Sequence, residues 1–289
     1  MLIPLPCIRH VFLKVGLLKE PVISAIIINY NTRDFLKGCL ASIFGTVDRE
    51  KIPIEVLVAD NASSDGSCEM IKSEFPDVIL LENKTNLGTS IPRNQLLEMA
   101  KGKYALILDS DTEVKPGAVE KMLNYMEEHE EIGILLPRLS FGDGSYQSSA
   151  RRFPGILEQI FRRLEPVFDN TKRMQLYYMK DKDMTQIQEV DYGISACFFA
   201  RMAALNKSGF FDPYLYRGGD IELCARVKIV GYRIFYYPLA EVIHYQQRIT
   251  KKKIFKNFHN FKALLYVTRG ALYTMWKHKC FRNVPKIPK

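Results

Sequence analysis

The stretch YALILDSDTEV, residues 104–114, joins a short apolar run to two aspartates that are separated by one serine. Short runs of leucine, β-branched and aromatic residues are typical of a buried strand. Asp109 and Asp111 stand two positions apart, so in extended chain their side chains lie on the same side. Carboxylates in this arrangement can hold a divalent cation, and an aspartate-rich turn is the simpler alternative. The stretch therefore predicts a buried strand that ends either at a metal site or in a turn.

Apolar runs of the same kind occur at three places nearer the N-terminus, separated by segments with helical periodicity. The runs are VISAIIINYN at 22–31, IEVLVAD at 54–60 and VILLEN at 78–83, and the helical segments lie at 35–44, 67–75 and 92–101. Unbroken apolar strands between amphipathic helices are typical of a parallel sheet that is covered on both faces. The sequence predicts the α/β class, with a Rossmann-like, mostly parallel sheet flanked by helices.

The residues that follow the four predicted strands are polar. They are Asn29, Tyr30 and Asn31, then Asp60 and Asn61, then residues 86–88, and finally residues 109–111. Ligands of parallel sheets bind at the carboxyl ends of the strands, so four polar ends together indicate a ligand-lined edge, although each alone fits a turn. Neither GxGxxG after the first strand nor GxxxxGK[ST] is present. A bound diphosphate would therefore depend on a cation rather than on a glycine-rich loop.

Charge and cysteine content restrict the class of protein further. Residues 242–289 hold 12 of the 41 Lys and Arg residues and none of the 32 Asp and Glu residues, so the net charge of +9 belongs to the C-terminal tail. The 6 cysteines are scattered without a CxxC pair, which disfavours a zinc site or a disulfide framework and indicates a reducing compartment. No apolar run approaches the roughly 20 residues of a membrane span. These features predict a cytoplasmic protein.

Several motifs, in their order and spacing, resemble the family 2 glycosyltransferases of GT-A fold, in particular the rhamnosyltransferase-like branch. They are IIINYNTRDFLKGCLASI, EVLVADNASSDGS, NLGTSIPRNQLL, LILDSDTEVKPGAVEKML, DGSYQSSARRFP and EVDYGISACFFAR, followed by residues 209–245. The resemblance implies a GT-A domain at 22–245, between an N-terminal extension at 1–21 and a basic helical tail at 246–289. Within that domain it implies a nucleotide-binding half at about 22–115 and an acceptor-binding half at about 116–245.

The resemblance also implies an activity. Members of the family transfer a sugar, with inversion, from a nucleotide-diphosphate donor to a hydroxyl of a glycan or a lipid-linked saccharide. For this chain it implies a dTDP-, UDP- or GDP-linked donor, Mn²⁺ or Mg²⁺ as cofactor, and a part in cell-surface polysaccharide synthesis. Rhamnose is the sugar of the most similar branch.

Roles for individual residues follow from the same resemblance. In the donor site, Asp60 with Asn61 would bind the base, Asn29, Tyr30 and Asn31 would form the pocket wall, and Arg93 would lie near the diphosphate. Asp109 would lie near the ribose and also join Asp111 and His244 as the metal ligands.

The catalytic base implied by the resemblance is Asp220, the second residue of a Glu-Asp pair in the family. In this chain the first residue of that pair is Gly219, in RGGDIELCAR. The departure keeps open a second hypothesis, a nucleotide-sugar-binding scaffold with weakened or no catalysis. A nucleotidyltransferase is a third and weaker hypothesis, because the chain lacks a glycine-rich basic loop near its first strand.

Two basic segments leave alternatives open. ARRFP, with Arg151 and Arg152, either contacts the phosphates of the acceptor or donor or is a basic loop without a ligand. Residues 251–279 combine aromatic and apolar residues at helical spacing with lysines, which fits a helix at an anionic membrane surface, a helix packed on the domain, or a homodimer contact. Nucleic acid is not an expected partner, because no nucleic-acid motif accompanies the charge.

Overall fold

The computed structural model describes residues 20–161, 171–215 and 219–245. The predicted basic tail at 246–289 and nearly all of the predicted N-terminal extension lie outside the described residues. None of the helices within the described ranges combines the length and the apolar character that crossing a membrane requires.

The described residues form an α/β structure whose elements alternate over the first half of the chain. The strands are β1 Ile23–Asn29, β2 Ile54–Asp60, β3 Ile79–Glu82, β4 Tyr104–Asp109, β5 Thr112–Val114, β6 Ile132–Ser140, β7 Tyr146–Gln147, β8 Ala150–Arg151, β9 Gln188–Glu189, β10 Tyr192–Gly193, β11 Cys197–Arg201 and β12 Arg233–His244. The helices are α1 Arg33–Thr46, α2 Ser67–Glu74, α3 Ser90–Met99, α4 Ala118–Glu128, α5 Ile156–Phe161, α6 Lys172–Tyr177, α7 Met202–Ser208 and α8 Asp220–Ile229.

The main sheet has the strand order β3-β2-β1-β4-β11-β6-β12-β5, with β7 beside β6 and β9 beside β12. The strands β1 to β4 pair in parallel, which confirms the α/β class predicted from their apolar runs. β11 is antiparallel to both β4 and β6, and β12 is parallel to β6. Because of this double reversal, β4, β6 and β12 run in one direction, and their carboxyl ends meet at the same edge.

The core lies on both faces of the sheet. Along β4, Leu106 and Leu108 pack into one cluster, with residues of α1, α2 and α4, whereas Ala105 and Ile107 pack into the other, with residues of α3, α7 and α8. A strand that is buried on both faces has no polar side, which explains the continuous apolar run in the sequence.

A buried ion pair fixes α8, the helix that begins with Asp220. Glu222 is fully buried, and its carboxylate accepts two hydrogen bonds from Arg226, at 2.8 and 2.6 Å. The Arg226 guanidinium also donates to the carbonyls of Gly209 and Phe210 at 2.6 and 2.5 Å. Each group of the pair has a partner, as burial of charge requires, so the start of α8 is held against the loop before it.

Candidate active site

The carboxyl ends of β1 and β2 form one side of the site. Asn29 and Asp60 are register partners, both about 1% exposed, and the Asn29 amide donates to Asp60 Oδ2 at 2.8 Å. The backbone N–H of Ser63 donates to the other oxygen, Oδ1, at 2.8 Å. The Asp60 carboxylate is therefore held in one orientation at the edge of the sheet.

The loops after these strands are tied together. Asn31 adopts the left-handed conformation, with φ of 53°, which asparagine tolerates better than most residues. Its N–H donates to Ser63 Oγ at 2.9 Å, and its side-chain oxygen accepts from Ser64 N–H at 2.8 Å. The Asn61 amide donates to the carbonyl of Gly88 at 2.8 Å, which joins the third loop to the second. The structure thus brings the predicted donor-site residues of the first two strand ends together, with Tyr30 half exposed beside them.

Asp109, Asp111 and His244 form a cluster at the same edge. Each offers one ligand atom, and these atoms lie within 4.8 Å of one another. His244 Nε2 is 3.5 Å from Asp111 Oδ1. Strand pairing explains the approach, because His244 is the register partner of Thr112 and the Tyr245 N–H donates to the Asp111 carbonyl at 2.9 Å.

The electrostatics of this cluster favour a cation. Burial raises the pKa of Asp109, and the Asp111 carboxylate raises it further, although Arg93 and His244 oppose the rise. Burial lowers the pKa of His244, but the adjacent Asp111 and Asp109 carboxylates outweigh it, so this pKa is raised. Mutual repulsion of two carboxylates is relieved by a divalent ion, and mixed carboxylate and imidazole ligands suit Mn²⁺, whereas Mg²⁺ favours oxygen alone. These residues could hold such an ion.

Arg93 lies behind Asp109 rather than at the surface of the site. It is 3% exposed, donates from Nη2 to Asp109 Oδ1 at 2.7 Å, and donates from Nη1 to Ser195 Oγ at 2.8 Å. Its guanidinium also stacks on the Phe211 ring, 5.1 Å from the centroid. Arg93 therefore fixes the orientation of the first aspartate of the cluster.

Asp220 faces the same edge from the start of α8. Its carboxylate is half-buried and contributes to the raised pKa of Asp109, so it lies near the cluster. Among the residues that the structure describes, it forms neither a hydrogen bond nor an ion pair. A Cβ on the preceding Gly219 would lie 3.2 Å from the Phe211 ring and 3.4 Å from Ser90 Oγ. The glycine thus permits close packing on Phe211, and any side chain there would require that ring to shift by a few tenths of an ångström.

Gln147 is a site residue that sequence reasoning missed. It lies on β7, is 3% exposed, and its Oε1 is 2.9 Å from Nδ1 of the buried His244. An amide oxygen can only accept, so Nδ1 donates, and in the neutral imidazole Nε2 keeps its lone pair on the side of Asp111. The two residues are 97 positions apart, and nothing local in DGSYQSS connects the glutamine to the histidine.

We expect Gln147→Leu to weaken Mn²⁺ binding by about 10- to 100-fold, because the partner that orients the imidazole is lost. Gln147→Glu is the matched control: a carboxylate still accepts from Nδ1, so affinity should equal or exceed that of the unchanged protein. Isothermal titration with Mn²⁺ alone measures both. Equal losses in the two variants, or no loss in Gln147→Leu, would contradict this role.

The comparisons with known proteins agree with this geometry. Residues 24–209, more than half of the chain, match the family described as glycosyl transferase family 2. The chain belongs to this family. A similar curated protein is the N-acetylglucosaminyl-diphospho-decaprenol L-rhamnosyltransferase of Mycobacterium tuberculosis, 27% identical over 79% of this chain and 78% of that protein. An uncharacterized glycosyltransferase of Methanocaldococcus jannaschii is 24% identical over 92% of this chain and 83% of its own length.

Solved structures confirm the GT-A fold. Staphylococcus aureus TarS 1-349 superposes with a TM-score of 0.58 at 16% identity, over 89% of this chain and 66% of that one. The mannosyltransferase PcManGT of Pyrobaculum calidifontis, in complex with GDP-Man and Mn²⁺, gives 0.58 at 16% identity, over 93% of this chain and 66% of its own. This chain spans just under two thirds of either structure.

Proposed function

We propose that this protein is a metal-dependent, inverting glycosyltransferase that moves a hexose, with rhamnose as the first choice, onto a hydroxyl of a glycan or lipid-linked saccharide. The observation that carries the proposal is the cluster of Asp109, Asp111 and His244 at the sheet edge that also presents Asp60. Curated relatives that act as an L-rhamnosyltransferase and as a poly(ribitol-phosphate) β-glucosyltransferase support a place in cell-surface polysaccharide synthesis.

The donor nucleotide would bind at the ends of β1 and β2. Asp60 already accepts from Asn29 and Ser63, but a carboxylate has further lone pairs that can accept from a base N–H. Tyr30 and Asn31 would form the wall of that pocket, together with Asn29 and Asn61. Hydrogen bonds between the loops hold the residues of this pocket in place.

The metal, Mn²⁺ or Mg²⁺, would be held by Asp109, Asp111 and His244 and would supply positive charge to offset the donor diphosphate. Arg93 opposes the rise in the pKa of Asp109 and orients its carboxylate through a 2.7 Å hydrogen bond. Its own charge also adds to the positive potential at the edge. Gln147 presents Nε2 of His244 by occupying Nδ1.

Asp220 would act as the general base. The acceptor oxygen forms a bond with the anomeric carbon while the bond from that carbon to the diphosphate oxygen breaks, and the hydroxyl proton moves to Asp220. A single displacement of this kind inverts the anomeric configuration. The carboxylate has no competing partner among the described residues, so it is available to accept this proton.

The proposal also covers the bounds of the domain and its location in the cell. The domain would comprise residues 22–245, with acceptor contacts after about residue 116. The basic tail would place this domain at the cytoplasmic face of an anionic membrane, where lipid-linked acceptors are found, or would form a homodimer contact.

Product analysis tests the function directly. The protein is incubated with Mn²⁺, a panel of dTDP-, UDP- and GDP-sugars, and a diphosphate-linked N-acetylglucosamine acceptor that carries a short lipid, and the products are weighed by mass spectrometry. We expect an acceptor heavier by one sugar residue, a deoxyhexose where the sugar is rhamnose, and release of the nucleoside diphosphate. Release of inorganic diphosphate would indicate a nucleotidyltransferase instead. Nucleotide binding without any product would indicate a scaffold.

A further inference from the structure

Two arginines lie beside the active site on the acceptor side. Arg138 is near the end of β6, two positions after Leu136, so the two residues share a face of the strand. On that face, Leu136 packs into the core cluster that also contains residues of α3 and α8. Arg151 is on β8, next to β10. Arg138 stacks on the Tyr146 ring at 5.2 Å, and Arg151 stacks on the Tyr178 ring at 4.7 Å.

Neither guanidinium is neutralised by a carboxylate of the described residues. Arg151 donates to Ser148 Oγ and to the carbonyl of Ala150, at 2.8 and 2.9 Å. Glu241 is the register partner of Arg138, but its carboxylate accepts from Ser140 Oγ at 2.6 Å. Two half-buried cations are thus oriented by aromatic rings and keep N–H groups available for an anion.

Two tyrosines, Tyr146 and Tyr236, lie beside these arginines. The hydroxyls of Tyr146 and Tyr236 are buried beside each other, and neither has a partner of normal hydrogen-bond geometry among the described residues. Burial raises the pKa of Tyr146, whereas the adjacent Tyr236 hydroxyl and the charges of Arg151 and Arg138 oppose that rise, so both cations lie near this hydroxyl. Two cations thus lie beside a pair of buried hydroxyls, an arrangement that suits an anionic ligand.

Arg152, the second arginine of ARRFP, differs from Arg151 in its contacts, and this difference separates the roles of the two residues. Arg152 donates to both carboxylate oxygens of Asp181 at 2.7 Å and to the carbonyl of Leu176 at 2.5 Å. The Arg152 guanidinium is therefore paired within the fold and has a structural role. Arg151 is the arginine that remains available to a ligand.

The position of this surface fits an acceptor. Arg151 is the register partner of Tyr192, three residues before Ser195, whose hydroxyl contacts Arg93 beside Asp109. Tyr146, on which Arg138 stacks, directly precedes Gln147, whose side chain contacts His244, so this surface also adjoins the metal-site cluster.

We propose that Arg138, Arg151 and the Tyr146 hydroxyl bind the diphosphate that links the acceptor sugar to its lipid. This rests on the proposed function and names its acceptor class. The rhamnosyltransferase that resembles this chain has such a diphosphate in the name of its acceptor. The negative charge of the acceptor would pair with the two cations, and its sugar hydroxyl would extend toward Asp220.

Calorimetric titration with two synthetic probes tests the proposal: citronellyl-diphospho-N-acetylglucosamine, and citronellyl N-acetylglucosaminide, which lacks the diphosphate. EDTA is present, so that a diphosphate cannot bind through a metal. We expect Arg138→Gln and Arg151→Gln each to weaken binding of the charged probe by about tenfold or more, because charge-assisted hydrogen bonds are lost. The neutral probe should bind all variants alike. Arg49→Gln, which removes an exposed cation near the start of β2, should leave both probes unchanged.

Tyr146→Phe guards against misfolding, because it keeps the ring on which Arg138 stacks and should not lower the unfolding midpoint. We expect Tyr146→Phe to weaken binding of the charged probe severalfold. Unchanged affinity for the charged probe in all three variants would overturn the proposal. Weakened binding of a nucleoside diphosphate with Mn²⁺ in Arg138→Gln and Arg151→Gln would assign the cations to the donor and also overturn it. Failure of the unchanged protein to bind any nucleoside diphosphate with Mn²⁺ would instead contradict the proposed function.

Discussion

Replacing Asp220 by asparagine is expected to abolish sugar transfer and to leave donor binding intact. Asparagine has nearly the same shape but cannot accept the hydroxyl proton, and loss of a general base costs about 10²- to 10⁴-fold in rate. The carboxylate stands at the first position of α8, which Glu222 and Arg226 hold in place, so the fold should tolerate the change. Single-turnover transfer and calorimetric binding of the nucleoside diphosphate, with Mn²⁺ in both, separate the two effects.

Asp77→Asn is the matched control for Asp220→Asn. It removes a carboxylate of the same size from the chain just before β3, at the opposite edge of the sheet, where Asp77 pairs with exposed Arg49. Its transfer rate should equal that of the unchanged protein. If Asp220→Asn also transfers at the unchanged rate, another group takes the proton, and the assignment of the base is wrong.

Replacing Asp111 by asparagine is expected to reduce Mn²⁺ affinity by at least about 100-fold. Loss of a residue that merely orients a metal ligand lowers metal affinity by about 10- to 100-fold. Loss of a charged ligand should lower it by at least the upper part of that range. Asp111 has a mostly buried side chain and approaches His244 to 3.5 Å, so no exposed carboxylate can replace it easily. Titration with Mn²⁺ alone measures the effect.

Ser110→Ala is the control for Asp111→Asn. Ser110 lies between the two aspartates, and its hydroxyl lies 2.8 Å from Thr32 Oγ1 rather than in the cluster. Removal of that hydroxyl should leave Mn²⁺ affinity within a few-fold of the unchanged protein. Equal binding of Mn²⁺ by Asp111→Asn and by the unchanged protein would show that the ion, if it binds, is held elsewhere.

The parallel half of the sheet could be predicted from the sequence because its signal is local. β1, β2 and β4 are buried on both faces, so each is a mostly apolar run that ends in polar residues. The second half also contains buried apolar strands, but their sequences do not show the direction in which they pair. β11 runs antiparallel between β4 and β6, and only long-range pairing shows this arrangement.

The same distinction applies to the site. Asp109 and Asp111 could be found as a local pair, and His244 only through the resemblance to the family. The orientation of Arg93 could not be predicted, because a buried arginine that pairs with Asp109 and an arginine that faces a diphosphate have the same sequence signature. Gln147 could not be predicted either, because its role depends on a register that brings β7 and β12 to either side of β6.

The central claim is that a nucleoside diphosphate binds at this edge through a metal ion, and thermal unfolding tests it most directly. The unchanged protein is heated with each nucleoside diphosphate, once with Mn²⁺ and once with EDTA. A ligand at about 100 times its Kd adds about 2.7 kcal/mol to the free energy of unfolding, which raises Tm by roughly 5 to 10 °C in a domain of this size. We predict that one nucleotide raises Tm in this way with Mn²⁺ and little without it. No shift with any nucleotide at saturation would contradict the metal site, and Asp109 and Asp111 would then form only a turn.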